Sequence, residues 1–170
     1  MTPLVVDLDG TLISTDSLVE SAILFIKQNP ANIFLLFYWL GKGKAHLKAE
    51  IALRTVLEVE TLPYNEPFLQ WLKSEKEKDR HIYLVTAAHK SIAQRVFKYL
   101  GFFDGFFATD TGINLKGTAK CRLIQKEIGD TFVYAGDSRA DIPIWEKAEA
   151  AVLVNTSPKV AGRVRGKCSI

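Results

Sequence analysis

The sequence is poor in cysteine and contains no large excess of one charge sign and no long apolar run. Its two cysteines, Cys121 and Cys168, show no metal-ligand spacing, so we expect neither a disulfide framework nor a zinc site, and a reducing compartment is favoured. Neither charge sign dominates, because 22 basic and 19 acidic residues leave a net charge of +3. The basic residues are spread along the chain, which argues against a nucleic-acid partner. No apolar run is long enough to span a membrane, and no leader-like segment follows Met1, so we expect a cytoplasmic protein.

What the sequence does contain is an alternation of short apolar runs with helical patterns. The runs are rich in β-branched residues and nearly continuous, which is typical of strands covered on both faces. The predicted strands are residues 4–8, 82–85, 105–109, 132–135 and 151–154. This order predicts an α/β fold with a doubly wound parallel sheet, in which ligands bind at the carboxyl ends of the strands.

Residues 14–62 interrupt the alternation with three helical segments, separated at Pro30 and at 41–43. We therefore predict a core formed by residues 1–13 and 63–170, and a small helical cap, residues 14–62, inserted after the first strand. Residues 30–40 of this cap carry no charge and are flanked by lysines. Burial inside the cap is the favoured interpretation of this segment, and a helix lying in a membrane interface is the alternative.

Two acids follow the first predicted strand, in the stretch LVVDLDGTL. Asp7 and Asp9 are two positions apart and would both lie at the carboxyl end of a central strand, where they repel unless a cation joins them. A hairpin turn at Asp9-Gly10 is the structural alternative. The helical pattern that follows disfavours it, because it leaves no partner strand.

A second acidic pair, Asp137 and Asp141, follows the strand in VYAGDSRADIP. Each acid alone could be a turn or helix-capping residue. If the two strands are neighbours, however, Asp7, Asp9, Asp137 and Asp141 meet in one crevice, which requires a cation such as Mg²⁺. The sequence therefore predicts a Mg²⁺ site.

Two further positions fit a phosphate site. Thr86 is predicted at the end of the strand in YLVTAAHK, before a helix whose free N–H groups could hold a phosphate, although a plain N-cap is the alternative. Lys116, in NLKGTAK, precedes Gly117 and a helix start, and its charge would balance the phosphate and the nucleophile. Lys120, one turn later, is the second candidate for this lysine.

In order and spacing, these residues resemble the haloacid dehalogenase-like (HAD) superfamily of phosphohydrolases. The resemblance implies a HAD-like Rossmannoid core and gives each residue a role. Asp7 would be the nucleophile that forms an aspartyl-phosphate, and Asp9 the general acid and base. Thr86 would bind the phosphate, and Lys116 would neutralise charge in the transition state. Asp7, the main-chain carbonyl of Asp9 and Asp137 would hold Mg²⁺, with support from Asp141.

The acid at position 9 favours a phosphatase or phosphomutase over the dehalogenases and transport ATPases of the superfamily. The wording of PLVVDLDGTL, LPYN, NLKG and YAGDSRAD is similar to the HAD-like domain that precedes UbiA-type membrane prenyltransferases. That resemblance implies a small phosphorylated substrate, with a lipid-linked one as an option. Peripheral contact with the inner face of the membrane is the expectation that goes with the interfacial alternative for residues 30–40. A phospho-acceptor signalling module and a catalytically silent binding domain remain as alternatives.

Overall fold

The computed structural model describes residues 1–109 and 115–164. Within them the chain forms a five-stranded parallel sheet with the strand order β3-β2-β1-β4-β5. The strands are β1 (Leu4–Val6), β2 (Ile82–His89), β3 (Gly105–Thr109), β4 (Val133–Gly136) and β5 (Ala150–Leu153). The predicted doubly wound α/β fold is therefore confirmed.

Strand β1 lies at the centre of the sheet, and its three residues are fully buried. Because successive side chains point to opposite faces, Leu4 and Val6 pack into one apolar cluster, whereas Val5 packs with Tyr134 and Trp145 in another. Helices α4 (Glu66–Glu77) and α5 (Lys90–Leu100) cover the first face. The second face is covered by α6 (Thr118–Glu127), α7 (Ile142–Trp145) and α8 (Pro158–Val164). Cys121 is buried on α6, and Cys168 lies outside the described residues.

Two strand ends, those of β1 and β2, differ from the prediction by two residues or more, and both lie beside the site, whereas β4 and β5 are each shifted by one residue. Strand β1 ends at Val6 rather than at residue 8, because the chain turns there and the Leu8 carbonyl accepts hydrogen bonds from the N–H groups of Thr11 and Ile13. Strand β2 continues past Thr86 to His89, with an irregularity in its pairing to β3 between these residues. The N-cap of α5 is consequently His89, so the alternative of Thr86 as an N-cap is wrong.

The predicted cap range contains α1 (Ser17–Gln28), α2 (Asn32–Gly41) and α3 (Lys44–Arg54). They enclose a small apolar cluster of their own, formed by Phe25, Trp39, Leu47 and Ile51. The exact division between core and cap stays a prediction. Within α2, all of which is described, only Trp39 is buried, so the expectation of a buried cap helix is wrong for most of this segment. Among the described residues no helix combines the length and the apolar character needed to cross a bilayer.

Candidate active site

Asp7 follows the central strand directly, and the backbone holds it in place. Its N–H donates to the carbonyl of Ala135 over 3.0 Å, which continues the pairing of β1 with β4 by one residue. Its Oδ1 accepts the N–H of Leu8 at 2.8 Å, and its Oδ2 lies 2.8 Å from Nζ of Lys120. Burial raises the pKa of the Asp7 carboxyl, and the Lys120 ammonium opposes this rise by stabilising the carboxylate.

The lysine beside Asp7 is Lys120, not Lys116. Lys120 lies in the first turn of α6, and only 3% of its side chain is exposed because it points between the helix and the sheet. Lys116 precedes that helix, is exposed, and lines the rim of the cavity described below. The Lys-Gly order that favoured Lys116 does not reveal which of two lysines one helical turn apart faces the sheet.

Tyr134 is a further site residue, to which the sequence motifs assign no role. This fully buried residue of β4 accepts a hydrogen bond from Lys120 at 3.1 Å and donates one from its hydroxyl to Oδ1 of Asp141 at 2.8 Å. Burial and the nearby acids raise its pKa, so the hydroxyl stays protonated. A signal was present in the sequence, since a tyrosine within an otherwise apolar strand needs a partner for its hydroxyl.

Asp141 is held from two sides. While Oδ1 accepts the Tyr134 hydroxyl, Oδ2 accepts the N–H of Ser138 at 3.0 Å and its hydroxyl at 3.1 Å. The residue is 2% exposed. It is the third residue of a capping box whose N-cap is Ser138, rather than the plain N-cap that the structural alternative supposed, and it also reaches the acidic cluster.

Asp137 is half-buried and forms no ion pair within the described part of the chain. Burial, followed by the charges of Asp141 and Asp7, raises its pKa to about 6. Gly10 leaves room for this carboxylate. A Cβ at position 10 would lie 2.3 Å from Oδ2 of Asp137, and the backbone φ of +74° there also favours glycine.

Asp9 lies on the side of the site that faces the cap. Its Oδ1 accepts the N–H of Ser17, the first residue of α1, at 2.8 Å. Burial raises the pKa of Asp9 to about 6, against the opposing effect of this hydrogen bond. The chain continues from Asp9-Gly10 into α1, and within residues 1–109 and 115–164 every strand pair of the sheet is parallel, so the hairpin alternative is wrong.

Thr86 is fully buried on β2, next to β1. Its hydroxyl oxygen accepts the N–H of Ala88 at 3.0 Å. Its neighbour Ala87 lines the cavity, whereas Thr86 does not. The structure therefore places Thr86 behind the cavity wall rather than in it.

Three of the four predicted metal-site acids form one cluster. Carboxylate oxygens of Asp7, Asp137 and Asp141 all lie within 4.8 Å of one another. When ionised, these three acids and Lys120 carry a net charge of about −2, which suits a divalent cation bound by oxygen ligands. The donor set thus fits Mg²⁺. The Asp9 carboxyl is outside the cluster, and its predicted contribution through the main-chain carbonyl stays a prediction.

These groups open into a cavity of about 460 Å³ between the predicted core and the predicted cap. Asp7, Asp9, Asp137 and Lys120 line it from the core, and Lys48 lines it from α3 of the cap. Nζ of Lys48 donates to the carbonyl of Ala87 at 2.7 Å, a contact that joins the cap to the end of β2. Burial lowers the pKa of Lys48, although the charge of Asp9 opposes this shift.

The family profile of the haloacid dehalogenase-like hydrolases (HAD) matches residues 4–146, a range that contains every group of this site. The chain belongs to the HAD hydrolases. The more specific resemblance to domains that precede UbiA-type prenyltransferases stays a prediction.

Individual proteins are also similar to this chain in sequence or in structure. The uncharacterized protein y4nM of Sinorhizobium fredii (strain NBRC 101917 / NGR234) is 39% identical over 163 residues, which cover 96% of this chain and 32% of y4nM. The chain thus spans about a third of the length of this curated relative. A crystal structure of a Bordetella pertussis Tohama I protein of unknown function has a TM-score of 0.72 at 17% identity, covering 99% and 97% of the two chains. A phosphoserine phosphatase, solved as an analogue of its phospho-aspartyl intermediate, has a TM-score of 0.64 at 20% identity, covering 95% and 90%. At these identities the two structures show a shared fold.

Proposed function

We propose that this HAD hydrolase is a Mg²⁺-dependent phosphatase that cleaves a phosphate monoester through an aspartyl-phosphate on Asp7. The observation that carries the proposal is the pair formed by Asp7 and Lys120. A buried carboxylate is held at 2.8 Å from an ammonium, at the carboxyl end of the central strand, and lines a cavity large enough for a small substrate. The fold shared with a phosphoserine phosphatase agrees with this chemistry.

In the first step Asp7 acts as the nucleophile. A carboxylate oxygen attacks phosphorus, the bond from phosphorus to the ester oxygen breaks, and the phosphoryl group is transferred to Asp7. Lys120 opposes the negative charge that gathers on the phosphoryl oxygens. Lys120 donates to the Tyr134 hydroxyl, which in turn donates to Asp141. Because these hydrogen bonds hold the ammonium group in place, Lys120 needs little rearrangement during the reaction.

Asp9 handles the proton in both steps. Its pKa of about 6 keeps a useful protonated fraction near neutral pH, and the protonated acid gives its proton to the departing ester oxygen. The resulting carboxylate then takes a proton from the water that attacks the aspartyl-phosphate, which releases inorganic phosphate and regenerates Asp7. The Ser17 N–H bond to Oδ1 orients the carboxyl group for this role.

The residues that would hold Mg²⁺ are Asp7 and Asp137, with the main-chain carbonyl of Asp9 and with Asp141 in support. When bound, the cation would reduce the repulsion between the nucleophile and the anionic phosphate. Asp141 is already engaged by Tyr134 and Ser138, so we assign it to orienting the site.

We expect the substrate to be a small phosphorylated molecule that enters between core and cap. Lys48 and Lys116 both line the cavity and would add positive charge near its entrance. We assign Thr86 an indirect role in phosphate binding. Its hydroxyl holds the backbone at Ala88, and Ala87, rather than the Thr86 side chain, lines the cavity. The resemblance to prenyltransferase-associated domains makes lipid-linked phosphates a class to include among the substrates tested.

The test is hydrolysis of p-nitrophenyl phosphate with and without Mg²⁺. We expect Asp7→Asn to abolish turnover without unfolding the chain, because the amide has nearly the same shape but cannot form the phosphoenzyme. The matched control is Asp79→Asn, which changes a carboxylate that precedes β2 at the opposite edge of the sheet, at a left-handed position that asparagine tolerates. Asp9→Asn should slow turnover by about 10²- to 10⁴-fold.

The same assay separates the alternatives. A phospho-acceptor module would take one phosphoryl group on Asp7 from a small donor and would not turn over. A catalytically silent domain would do neither. Turnover that survives in Asp7→Asn would contradict the proposed mechanism. A panel of phosphorylated metabolites and prenyl-linked phosphates would then identify the substrate class.

A further inference from the structure

The cap helix α2 presents an apolar face to water. Its large side chains Ile33, Phe34, Phe37 and Tyr38 are 40%, 75%, 67% and 59% exposed, respectively. Their spacing of three and four residues places them on one side of the helix, and Trp39 points away from them into the cap cluster. We call these four residues the apolar face. A cluster of exposed apolar side chains that includes three aromatic rings is typical of an interaction surface.

The surroundings of the apolar face are basic. From Ser21 to Ala49 the sequence contains no aspartate or glutamate. Lys27 lies in the last turn of α1, Lys42 follows α2, and Lys44 begins α3, and all three are exposed. Nζ of Lys42 lies 4.4 Å from the centre of the Tyr38 ring, so this charge borders the apolar face directly.

From this combination we propose that the apolar face docks on an anionic lipid surface. A ten-residue helix is about 15 Å long, too short to cross a bilayer, and suits a position parallel to the membrane plane. In that position the aromatic rings enter the boundary between headgroups and acyl chains, and the lysines meet the lipid phosphates. A second copy packed face to face fits less well, because it would bring two sets of lysines together, and residues 21–49 contain no acid to pair with them.

The experiment measures binding of the 170-residue chain to sedimented vesicles. One set consists of phosphatidylcholine with about a third phosphatidylglycerol, and the other of phosphatidylcholine alone. We expect binding to the anionic set at low salt, and a loss of binding as salt is raised. Light scattering of the same protein without lipid reports whether it associates with itself.

Variants of the apolar face and of its lysines test the two parts of the proposal. Phe34→Glu and Phe37→Glu should each weaken the partition coefficient about tenfold or more, because a buried ring is replaced by a charge that the lipid repels. The matched control Val56→Glu changes a residue that is 70% exposed and follows α3, and it should bind vesicles like the parent. Lys42→Glu combined with Lys44→Glu should remove the preference for anionic lipid, which keeps the proposal testable if a phenylalanine variant does not fold.

Three results would overturn the proposal. The first is no binding of the parent to anionic vesicles at any salt concentration. The second is equal binding by the parent and by the combined lysine variant. The third is self-association of the parent that Phe34→Glu abolishes, without vesicle binding, which would assign the apolar face to a second copy. Thermal unfolding of each variant confirms that it is folded, so that lost binding reports on the surface.

Discussion

Replacing Lys120 by methionine removes the ammonium group that pairs with Asp7 while keeping a side chain of similar length. In the parent protein Nζ lies 2.8 Å from Oδ2 of Asp7 and 3.1 Å from the Tyr134 hydroxyl. The loss of Nζ leaves Asp7 buried beside Asp137 and Asp141. In the described part of the chain Asp7 forms no other ion pair. The variant therefore tests whether this pair organises the site.

The expected loss of stability follows from that burial. Removing one partner of a buried ion pair costs about 3–5 kcal/mol when the other partner must stay charged. For a chain of this size, Tm changes by about 2–4 °C per kcal/mol, so Tm should fall by roughly 6–20 °C at neutral pH. The loss depends on pH, because Asp7 can avoid it by taking up a proton. Without Lys120 the folded-state pKa of Asp7 rises further, so the stability of the variant is retained at low pH and lost as pH rises through that value.

The comparison variant is Lys116→Met, which removes the lysine that the sequence favoured. Because Lys116 is exposed, its loss should change stability by less than about 0.5 kcal/mol. In hydrolysis of p-nitrophenyl phosphate, Lys120→Met should lower kcat/KM by about 10²- to 10³-fold, the usual cost of a lost charge-stabilising group, and Lys116→Met by much less. Thermal unfolding and turnover are measured on both. The reverse order of effects, or an unchanged Tm in Lys120→Met, would show that the Asp7–Lys120 pair does not organise the site.

Three further predictions concern neighbouring groups. Tyr134→Phe should cost about 1–3 kcal/mol in the free energy of unfolding, because buried Lys120 and Asp141 lose a shared partner; an unchanged unfolding curve would contradict the bridge. Gly10→Ala should reduce the rise in Tm that Mg²⁺ produces, because the new Cβ would lie 2.3 Å from Oδ2 of Asp137 and would displace this carboxylate. A rise equal to that of the parent would be evidence against Asp137 as a Mg²⁺ ligand. In EDTA, the contribution of Asp9 to stability should be present below pH 3.8 and lost as pH rises to about 6, because burial raises its folded-state pKa. The free energy of unfolding is measured for the parent and for Asp9→Asn across this pH range. If it depends on pH identically in the two proteins, Asp9 does not titrate as proposed.

Much of the fold and part of the site could be predicted from sequence, because the signals are local. The apolar runs of β1 and β4 are buried on both faces, so they are continuous and easy to find. The acids that follow these strands lie within a few residues of the strand ends in the sequence. Once β1 and β4 are neighbours, Asp7, Asp137 and Asp141 must meet at the same edge of the sheet.

The remaining features depend on contacts between distant parts of the chain. The sequence offers both Lys116 and Lys120, one helical turn apart, and only the packing of α6 against the sheet buries Lys120 between Asp7 and Tyr134. The exposure of α2 is likewise a tertiary result. Its side chains are apolar on nearly all sides, so periodicity could not tell which of them face the cap, and the small cluster around Trp39 has room for few of them. The order of the strands along the chain and the acids at their ends are thus local features that sequence alone reveals. Which lysine contacts the nucleophile, and which apolar face remains in water, depend on packing between segments that are far apart in sequence.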